Sequence, residues 1–274
     1  MQIMNQTLTT NHQDFQVTAY WLDSNQDFNN TRYQPVVIIC PGGGFRYHSQ
    51  RETEPIVLKA LAEGCHAVVL PYQLIEPDQM VYPTALQQLA KTIEWITDQS
   101  DTQKVDPERI VLVGFSAGGH LVATFNGIAT NPELNTQYQL DSYRGHHAAV
   151  ILSYPVIDLD AGFPKEESEK ERITTDQRLW HAQDTLTKWA KPCFVWQTAT
   201  DELVPAINSL LYVTELNRLN ITTEYHLFSD GVHGLALANK VTQRPGKPQD
   251  VNEPVAQWLP LALTWLAEID IAHR

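Results

Sequence analysis

The sequence predicts an α/β fold, with a mostly parallel central sheet, helices on both faces and a short cap insertion. Short apolar runs suited to strands buried on both faces alternate with segments that place apolar residues at helical spacing. This strand–helix rhythm favours parallel strands joined by right-handed crossovers. A charged stretch, residues 159–190, interrupts the rhythm and supplies the insertion.

Length and composition indicate one domain spanning residues 1–274. The net charge of −13 argues against nucleic acid and against an anionic membrane surface as partners. Because no apolar run reaches the roughly 18 residues of a membrane span and no signal-peptide pattern opens the chain, we expect a cytoplasmic protein. Three cysteines without C-x-x-C spacing lie in or beside apolar runs, which predicts buried free thiols rather than disulfides or zinc: Cys40, Cys65 and Cys193.

The strands are predicted from their apolar patterns. Residues 15–22 alternate apolar and polar side chains, which suits an edge or hairpin strand. Continuous apolar runs then predict buried strands at 35–40, 66–70, 110–113, 148–152 and 192–197, with a last strand at 222–228.

Helices are predicted between these strands, at 54–63 with Gly64 as C-cap, 82–99, after Ser116, 205–219 and 252–269. Residues 105–109 are typical of a turn, which leads into the strand at 110–113. The aromatic-rich C-terminal helix is expected in the core, with an interface between copies of a homo-oligomer as the alternative.

The motif Gly114-Phe115-Ser116-Ala117-Gly118 stands between an apolar strand and a helix. G-x-S-x-G in this context is the sequence form of a nucleophile elbow, although the same letters also occur in ordinary glycine turns. Glycines allow close backbone approach, and the helix N-terminus directs N–H groups at developing negative charge. We therefore predict Ser116 as a nucleophile.

A glycine cluster at residues 42–44 directly follows the strand at 35–40. It could be a flexible surface loop, or an oxyanion loop whose backbone N–H groups approach a tetrahedral intermediate. Its position before the elbow favours the second interpretation. The predicted oxyanion donors are the N–H groups of Gly43, Gly44 and Ala117.

A serine nucleophile needs a base with a pKa near neutrality within hydrogen-bond reach, and histidine fits. His233 follows the last predicted strand in a glycine-flanked loop, at the sheet edge where Ser116 emerges, so we predict it as the base rather than a plain surface or core residue. For the other histidines we expect packing at His120, surface positions at His146 and His147, and a place in the pocket wall at His48.

The base needs an acceptor on its other ring nitrogen. Asp201, after the penultimate strand, is the natural candidate, with Asp158 and Asp230 as rivals. The order Ser116, Asp201, His233 matches the order of triad residues in the α/β-hydrolase fold.

The charged stretch 159–190 contains KEESEKER at 165–172 and only scattered apolar positions. It predicts either a solvated surface helix or a short cap over the active-site mouth. The cap is favoured, because the stretch leaves the sheet on the side where open α/β folds bind ligands.

Three separated motifs stand in order within residues 36–266, which make up most of the chain: CPGGGF, VDPERIVLVGFSAGGHL and TDELVP…NSL…FSDGVHGLALAN. In them the chain resembles small bacterial carboxylesterases of the α/β-hydrolase superfamily, of the acetyl-xylan-esterase-like and hormone-sensitive-lipase-like branches. The resemblance implies a Ser–Asp–His esterase acting on small acyl groups such as acetyl. The sequence departs from it at Pro41, where relatives carry histidine, and at Gln73, where relatives often carry arginine.

The sequence therefore predicts a carboxylesterase with a small-molecule ester as substrate and with no metal or organic cofactor. Acetylated carbohydrates are one candidate class of substrate. Two alternatives are a serine peptidase on the same fold and a non-catalytic binding protein that retains the fold.

Overall fold

The computed structural model describes residues 1–11, 13–23, 33–140 and 147–271. In this part of the chain one eight-stranded sheet has the order β1-β2-β4-β3-β5-β6-β7-β8. The strands are β1 Gln2–Thr10, β2 Gln13–Trp21, β3 Gln34–Cys40, β4 His66–Val69, β5 Val105–Phe115, β6 Ala149–Ser153, β7 Cys193–Thr198 and β8 Thr223–Phe228. Strands β3 to β8 pair in parallel, whereas β1 with β2 and β2 with β4 pair antiparallel. The predicted mostly parallel sheet is confirmed.

The α-helices follow the predicted rhythm closely. They are α1 Glu54–Ala62, α2 Thr84–Asp98, α3 Ser100–Gln103, α4 Ala117–Ala129, α5 Pro132–Gln137, α6 Glu167–Ile173, α7 Ile207–Arg218, α8 Glu253–Ala256 and α9 Trp258–Glu268. Gly64, with φ +78°, ends α1 in the left-handed conformation expected of a C-cap glycine. None of the helices in the described ranges is long and apolar enough to cross a membrane.

The core lies in two layers, one on each face of the sheet. Alternate residues of β3 enter opposite layers, with Ile38 in one and Ile39 in the other, as the two-residue period of a strand requires. Helices α2, α4 and α7 contribute to the first layer and α1 and α9 to the second. All three cysteines are buried and unpaired, as predicted.

The sequence interpretation missed β1, the outer strand of the hairpin. Its inward positions include Gln6 and Thr10, its Ile3 side chain is exposed, and only Leu8 is buried. An edge strand that buries so little shows almost no apolar alternation. Residues 15–22 were predicted as an edge or hairpin strand, and the hairpin is confirmed because β2 pairs with β1 along its whole length.

Two predicted boundaries differ from the structure. Residues 105–109, predicted as a turn, belong to strand β5, which starts at Val105. The register between β5 and β3 shifts between the pairs Val105–Gln34 and Ile110–Val36. The C-terminal helix is interrupted at Gln257. Pro260 explains this interruption, because proline has no N–H to donate to the carbonyl group four residues earlier.

Candidate active site

The strand-to-helix turn at Ser116 joins β5 to α4. Ser116 has φ 51° and ψ −115°, a strained backbone conformation for a residue with a side chain. A Cβ atom on Gly118 would lie 2.1 Å from the carbonyl oxygen of Cys40, and one on Gly114 would lie 2.6 Å from that of Gly118. The G-x-S-x-G pattern therefore follows from backbone crowding around the serine.

The structure brings the three predicted triad side chains together. Ser116 Oγ lies 2.8 Å from Nε2 of His233, and Nδ1 of His233 lies 2.7 Å from Oδ2 of Asp201. Asp201 follows β7 and His233 follows β8, so the two loops emerge from neighbouring parallel strands. Ser116 is 5% exposed and the Asp201 side chain is fully buried.

Asp201 is held by more than the histidine. Its Oδ1 atom accepts the N–H groups of Leu203 at 3.0 Å and Val204 at 2.9 Å, and Gln197 Nε2 donates to Oδ2 at 3.2 Å. Because a carboxylate only accepts hydrogen bonds, Nδ1 of His233 carries a proton. Nε2 is then free to accept the proton of Ser116, which is the tautomer that a general base requires.

The N–H groups of Gly43, Gly44 and Ala117 have no hydrogen-bond acceptor in the part of the chain that the structure describes. Gly43 and Gly44 lie in the wall of the same cavity as Ser116, and Ala117 is the first residue of α4. Gly43 has φ +132°, and a Cβ atom there would lie 1.9 Å from the carbonyl oxygen of Tyr47. This position therefore requires glycine.

The two departures from the family pattern have different surroundings. The carbonyl oxygen of Pro41 accepts the Tyr72 hydroxyl at 2.9 Å, so the glycine loop has hydrogen-bond support without a histidine. Gln73 is buried, donates to the carbonyl group of Leu74 and accepts from Gln13. Its side chain is outside the cavity wall.

A cavity of about 880 Å³ opens above Ser116 and His233. Its wall comes from the glycine loop, from the insertion, and from the loops that follow β7 and β8. The insertion contributes Phe163, Pro164, Glu169 and Ile173. The rest of the insertion buries more apolar side chains than its scattered apolar positions predicted. These are Leu159, Leu179, Trp180, Ala182, Leu186 and Ala190.

Sequence reasoning missed two buried residues beside the triad. Glu52, 3% exposed, accepts the Gly42 N–H at 2.7 Å and the Tyr154 hydroxyl at 2.7 Å. The Tyr154 ring packs edge-on against the His233 ring, with centroids 5.1 Å apart. No motif marks either residue. The only signal is that Tyr154 directly follows an apolar strand on the edge where the triad loops meet.

The rival histidines lie apart from the cavity. His120 is buried, as predicted, and its Nδ1 atom forms a hydrogen bond with the Tyr82 hydroxyl. The surface position predicted for His147 is wrong, because its ring is buried against Phe125 and bonds Asn126. The position predicted for His48 is also wrong: its Nε2 bonds the Tyr72 carbonyl group outside the cavity wall, and burial lowers its pKa. His146 lies outside the described residues.

The rival carboxylates have other partners. Asp230 accepts the Thr200 hydroxyl at 2.9 Å, and Asp158 accepts Gln183 at 2.8 Å. Among the described residues, Asp158, Asp160 and His181 form the one group with metal-ligand spacing. Lys170 already pairs with Asp160, and none of the three residues lines the cavity.

Comparison with known proteins places the chain in a family. Residues 22–216 match the BD-FAE family model. A solved carboxylesterase from Lactobacillus plantarum is 57% identical, with all of both chains covered and a TM-score of 0.98. A solved acetyl ester-xyloside bifunctional hydrolase from Caldicellulosiruptor lactoaceticus is 26% identical over 94% of this chain and 89% of that one, with a TM-score of 0.77.

Among curated proteins, endo-1,4-beta-xylanase B of Butyrivibrio fibrisolvens is 30% identical over an alignment of 215 positions that covers 74% of this chain. The chain spans only 33% of that xylanase and about half the length of two further esterase relatives. The similarity therefore concerns one unit of longer proteins.

Proposed function

The chain belongs to the BD-FAE family of α/β-hydrolases, and we propose that it is a carboxylesterase that hydrolyses esters of short acyl chains through an acyl-enzyme. The observation that carries this proposal is the hydrogen-bond chain from Ser116 through His233 to the buried Asp201, with Ser116 and His233 in the wall of one cavity. The similarity to a carboxylesterase over the whole chain supports the same class of reaction.

In the first half of the reaction, Ser116 Oγ attacks the ester carbonyl while Nε2 of His233 takes the hydroxyl proton. Asp201 stabilises the imidazolium that forms. The N–H groups of Gly43, Gly44 and Ala117 are the proposed donors to the oxyanion. His233 then protonates the leaving alcohol, which leaves the acyl group on Ser116.

In the second half, water replaces the alcohol. His233 takes a proton from the water as it attacks the acyl-enzyme, and the same oxyanion donors stabilise the second tetrahedral intermediate. Collapse of that intermediate returns the proton to Ser116 and releases the acid. No step requires a metal or an organic cofactor.

Residues 159–190 act in this proposal as a short cap. Phe163 and Pro164 border the cavity, Phe163 lies next to Gly44, and Glu169 of the insertion pairs with Arg46, which also lines the cavity. A compact cap of this kind suits small esters better than long acyl chains.

Acetylated carbohydrates are the substrate class we propose first. Thr200, Glu202 and Gln249 lie in the cavity wall and offer hydrogen-bonding groups to sugar hydroxyls. The relative from Caldicellulosiruptor lactoaceticus, described as an acetyl ester-xyloside bifunctional hydrolase, supports this choice.

The test is hydrolysis of p-nitrophenyl acetate, butyrate and octanoate by the wild type, Ser116→Ala and Ser168→Ala. Ser168 is an exposed serine of α6 and serves as the matched control. We expect the fastest turnover on acetate or butyrate, its loss in Ser116→Ala, and wild-type rates in Ser168→Ala. A maximum at octanoate contradicts the short-acyl preference. No turnover by a folded wild type favours the peptidase or binding-protein alternative.

A further inference from the structure

We propose that Glu52 is a positioning residue that fixes the glycine loop and the histidine loop relative to each other. The glycine loop is residues 41–45, and the histidine loop is residues 229–238. This role rests on the proposed esterase function. Glu52 ends the 3₁₀ turn Gln50–Glu52, which follows the glycine loop, and its carboxyl group is buried.

One carboxyl oxygen holds the glycine loop. Oε2 of Glu52 accepts the Gly42 N–H at 2.7 Å. Gly42 lies close to the nucleophile, because a Cβ atom on it would be 2.9 Å from the Cβ atom of Ser116. The next two N–H groups along the chain belong to Gly43 and Gly44, the proposed oxyanion donors. By fixing the position of Gly42, Glu52 therefore fixes the backbone from which the N–H groups of Gly43 and Gly44 project.

The other carboxyl oxygen reaches the histidine loop through a tyrosine. Oε1 of Glu52 accepts the Tyr154 hydroxyl at 2.7 Å, and that hydroxyl oxygen accepts the Ala236 N–H at 3.0 Å. Ala236 stands three residues after His233. Tyr154 has φ +38° and Ala236 has φ +52°, left-handed conformations that non-glycine residues keep only where their surroundings hold them.

The same 3₁₀ turn contacts the histidine loop a second time. The Nη1 atom of Arg51 donates to the carbonyl oxygen of Gly234 at 2.7 Å. Residues 51 and 52 therefore engage the histidine loop at two points shortly after His233, at Gly234 and, through Tyr154, at Ala236. A single short turn links the loop that carries the base to the loop that carries the oxyanion donors.

The hydrogen-bond pattern fits a carboxylate and not its amide. The backbone N–H of Ala236 can only donate, so the Tyr154 proton must go to Glu52, while Gly42 N–H needs the second oxygen. Glutamine offers one acceptor oxygen and an NH₂ group, so one of the two partners loses its acceptor. Burial raises the pKa of Glu52, and the Tyr154 and Gly42 hydrogen bonds counteract that rise.

The test compares Glu52→Gln and Tyr154→Phe with the wild type and with Glu63→Gln, a control at an exposed carboxylate after α1. The substrates are p-nitrophenyl acetate and the matching thionoester, whose sulfur accepts hydrogen bonds weakly in an oxyanion hole. We expect Glu52→Gln to lower kcat on the ester about tenfold to 100-fold with KM within about twofold, because small misplacements of reacting groups have effects of this order. The ester-to-thionoester rate ratio should shrink in the same variant.

Tyr154→Phe distinguishes the contact of Glu52 with the glycine loop from its contact with the histidine loop. It leaves Gly42 bonded to Glu52 and removes the acceptor of the Ala236 N–H, so we expect a lower kcat with an unchanged ester-to-thionoester ratio. The rate at which a fluorophosphonate labels Ser116 should fall about tenfold or more in both variants, since this reaction also uses the base and the oxyanion donors.

Several outcomes overturn the proposal. One is a folded Glu52→Gln protein with wild-type kcat, rate ratio and labelling rate, and another is a variant that loses only thermal stability. If Glu52→Gln does not fold, Glu52→Asp and Tyr154→Phe decide the question by the same readouts. A wild type without ester turnover rejects the proposed function, and the labelling rates still test the role of Glu52.

Discussion

Thr198 and Phe228 are paired residues at the ends of the adjacent parallel strands β7 and β8. Because both strands end at this register position, the loops that follow them leave the sheet together. Asp201 stands three residues after the first strand end and His233 five after the second. The 2.7 Å contact between their side chains therefore follows from strand register rather than from sequence proximity.

The first prediction concerns Asp201→Asn. The amide places an NH₂ group among donors that now converge on the carboxylate, and His233 loses the acceptor that fixes its tautomer. We expect kcat on p-nitrophenyl acetate to fall by about 10⁴-fold, the order found when a triad aspartate is replaced in this way. Asp158→Asn, at the rival carboxylate outside the cavity, should keep wild-type kcat. The reverse result assigns the acid to Asp158.

The second prediction concerns the glycine loop. A Cβ atom at Gly43 overlaps the Tyr47 carbonyl oxygen, so Gly43→Ala must displace the loop, and kcat should fall by about 10²-fold or more. Gly44→Ala meets only Phe163, at 3.3 Å, and should lower kcat less. Gly64→Ala is the control, because it has a positive φ and no atom within 4 Å. It should lose some thermal stability but no kcat, and equal losses of kcat in all three variants would refute the oxyanion role.

The third prediction concerns the pH dependence of stability. Burial lowers the pKa of His120 to about 4 in the folded protein, from 6.5 in an unfolded chain. Between these values the unfolded state binds a proton that the folded state does not, so stability falls as pH decreases from 6.5 to about 4. The loss from this residue should reach about 3 kcal/mol.

Urea unfolding of the wild type and His120→Gln, measured from pH 7.5 down to pH 4, tests this expectation. Glutamine can still accept the Tyr82 hydroxyl but does not titrate. The wild-type free energy of unfolding should decline more steeply with falling pH than that of the variant. Two curves that decline in parallel would show that His120 does not cause the loss.

The sequence predicted the sheet well where strands are buried on both faces. The strands β3 to β7 carry continuous apolar runs, and their turns carry glycine and proline signals that are local in sequence. The sequence did not predict strand β1, because it lies at the sheet edge and Leu8 is its one buried residue. The sequence did not predict the helix interruption at Gln257, because Pro260 disrupts the hydrogen bonding of the turn that precedes it.

The candidate site was partly predictable for the same reason. Ser116, Asp201 and His233 each follow a predicted strand on one sheet edge, so their meeting could be expected, and their catalytic roles remain predictions. Glu52 and Tyr154 could not be found in this way. Their contact joins residues 102 apart in sequence, and a buried glutamate in a short 3₁₀ turn has no periodic signal. His147 was misplaced because histidine has no fixed preference between surface and interior.

The central claim is that Ser116 forms a covalent acyl-enzyme. The most direct test is to mix the protein with excess p-nitrophenyl acetate, quench with acid within the first turnovers and map the acetyl group by peptide mass spectrometry. We predict one acetyl group per chain on the peptide that contains Ser116, and none on that peptide in Ser116→Ala. Steady ester turnover with no acetylated peptide, or with the acetyl group on another residue, would contradict the account.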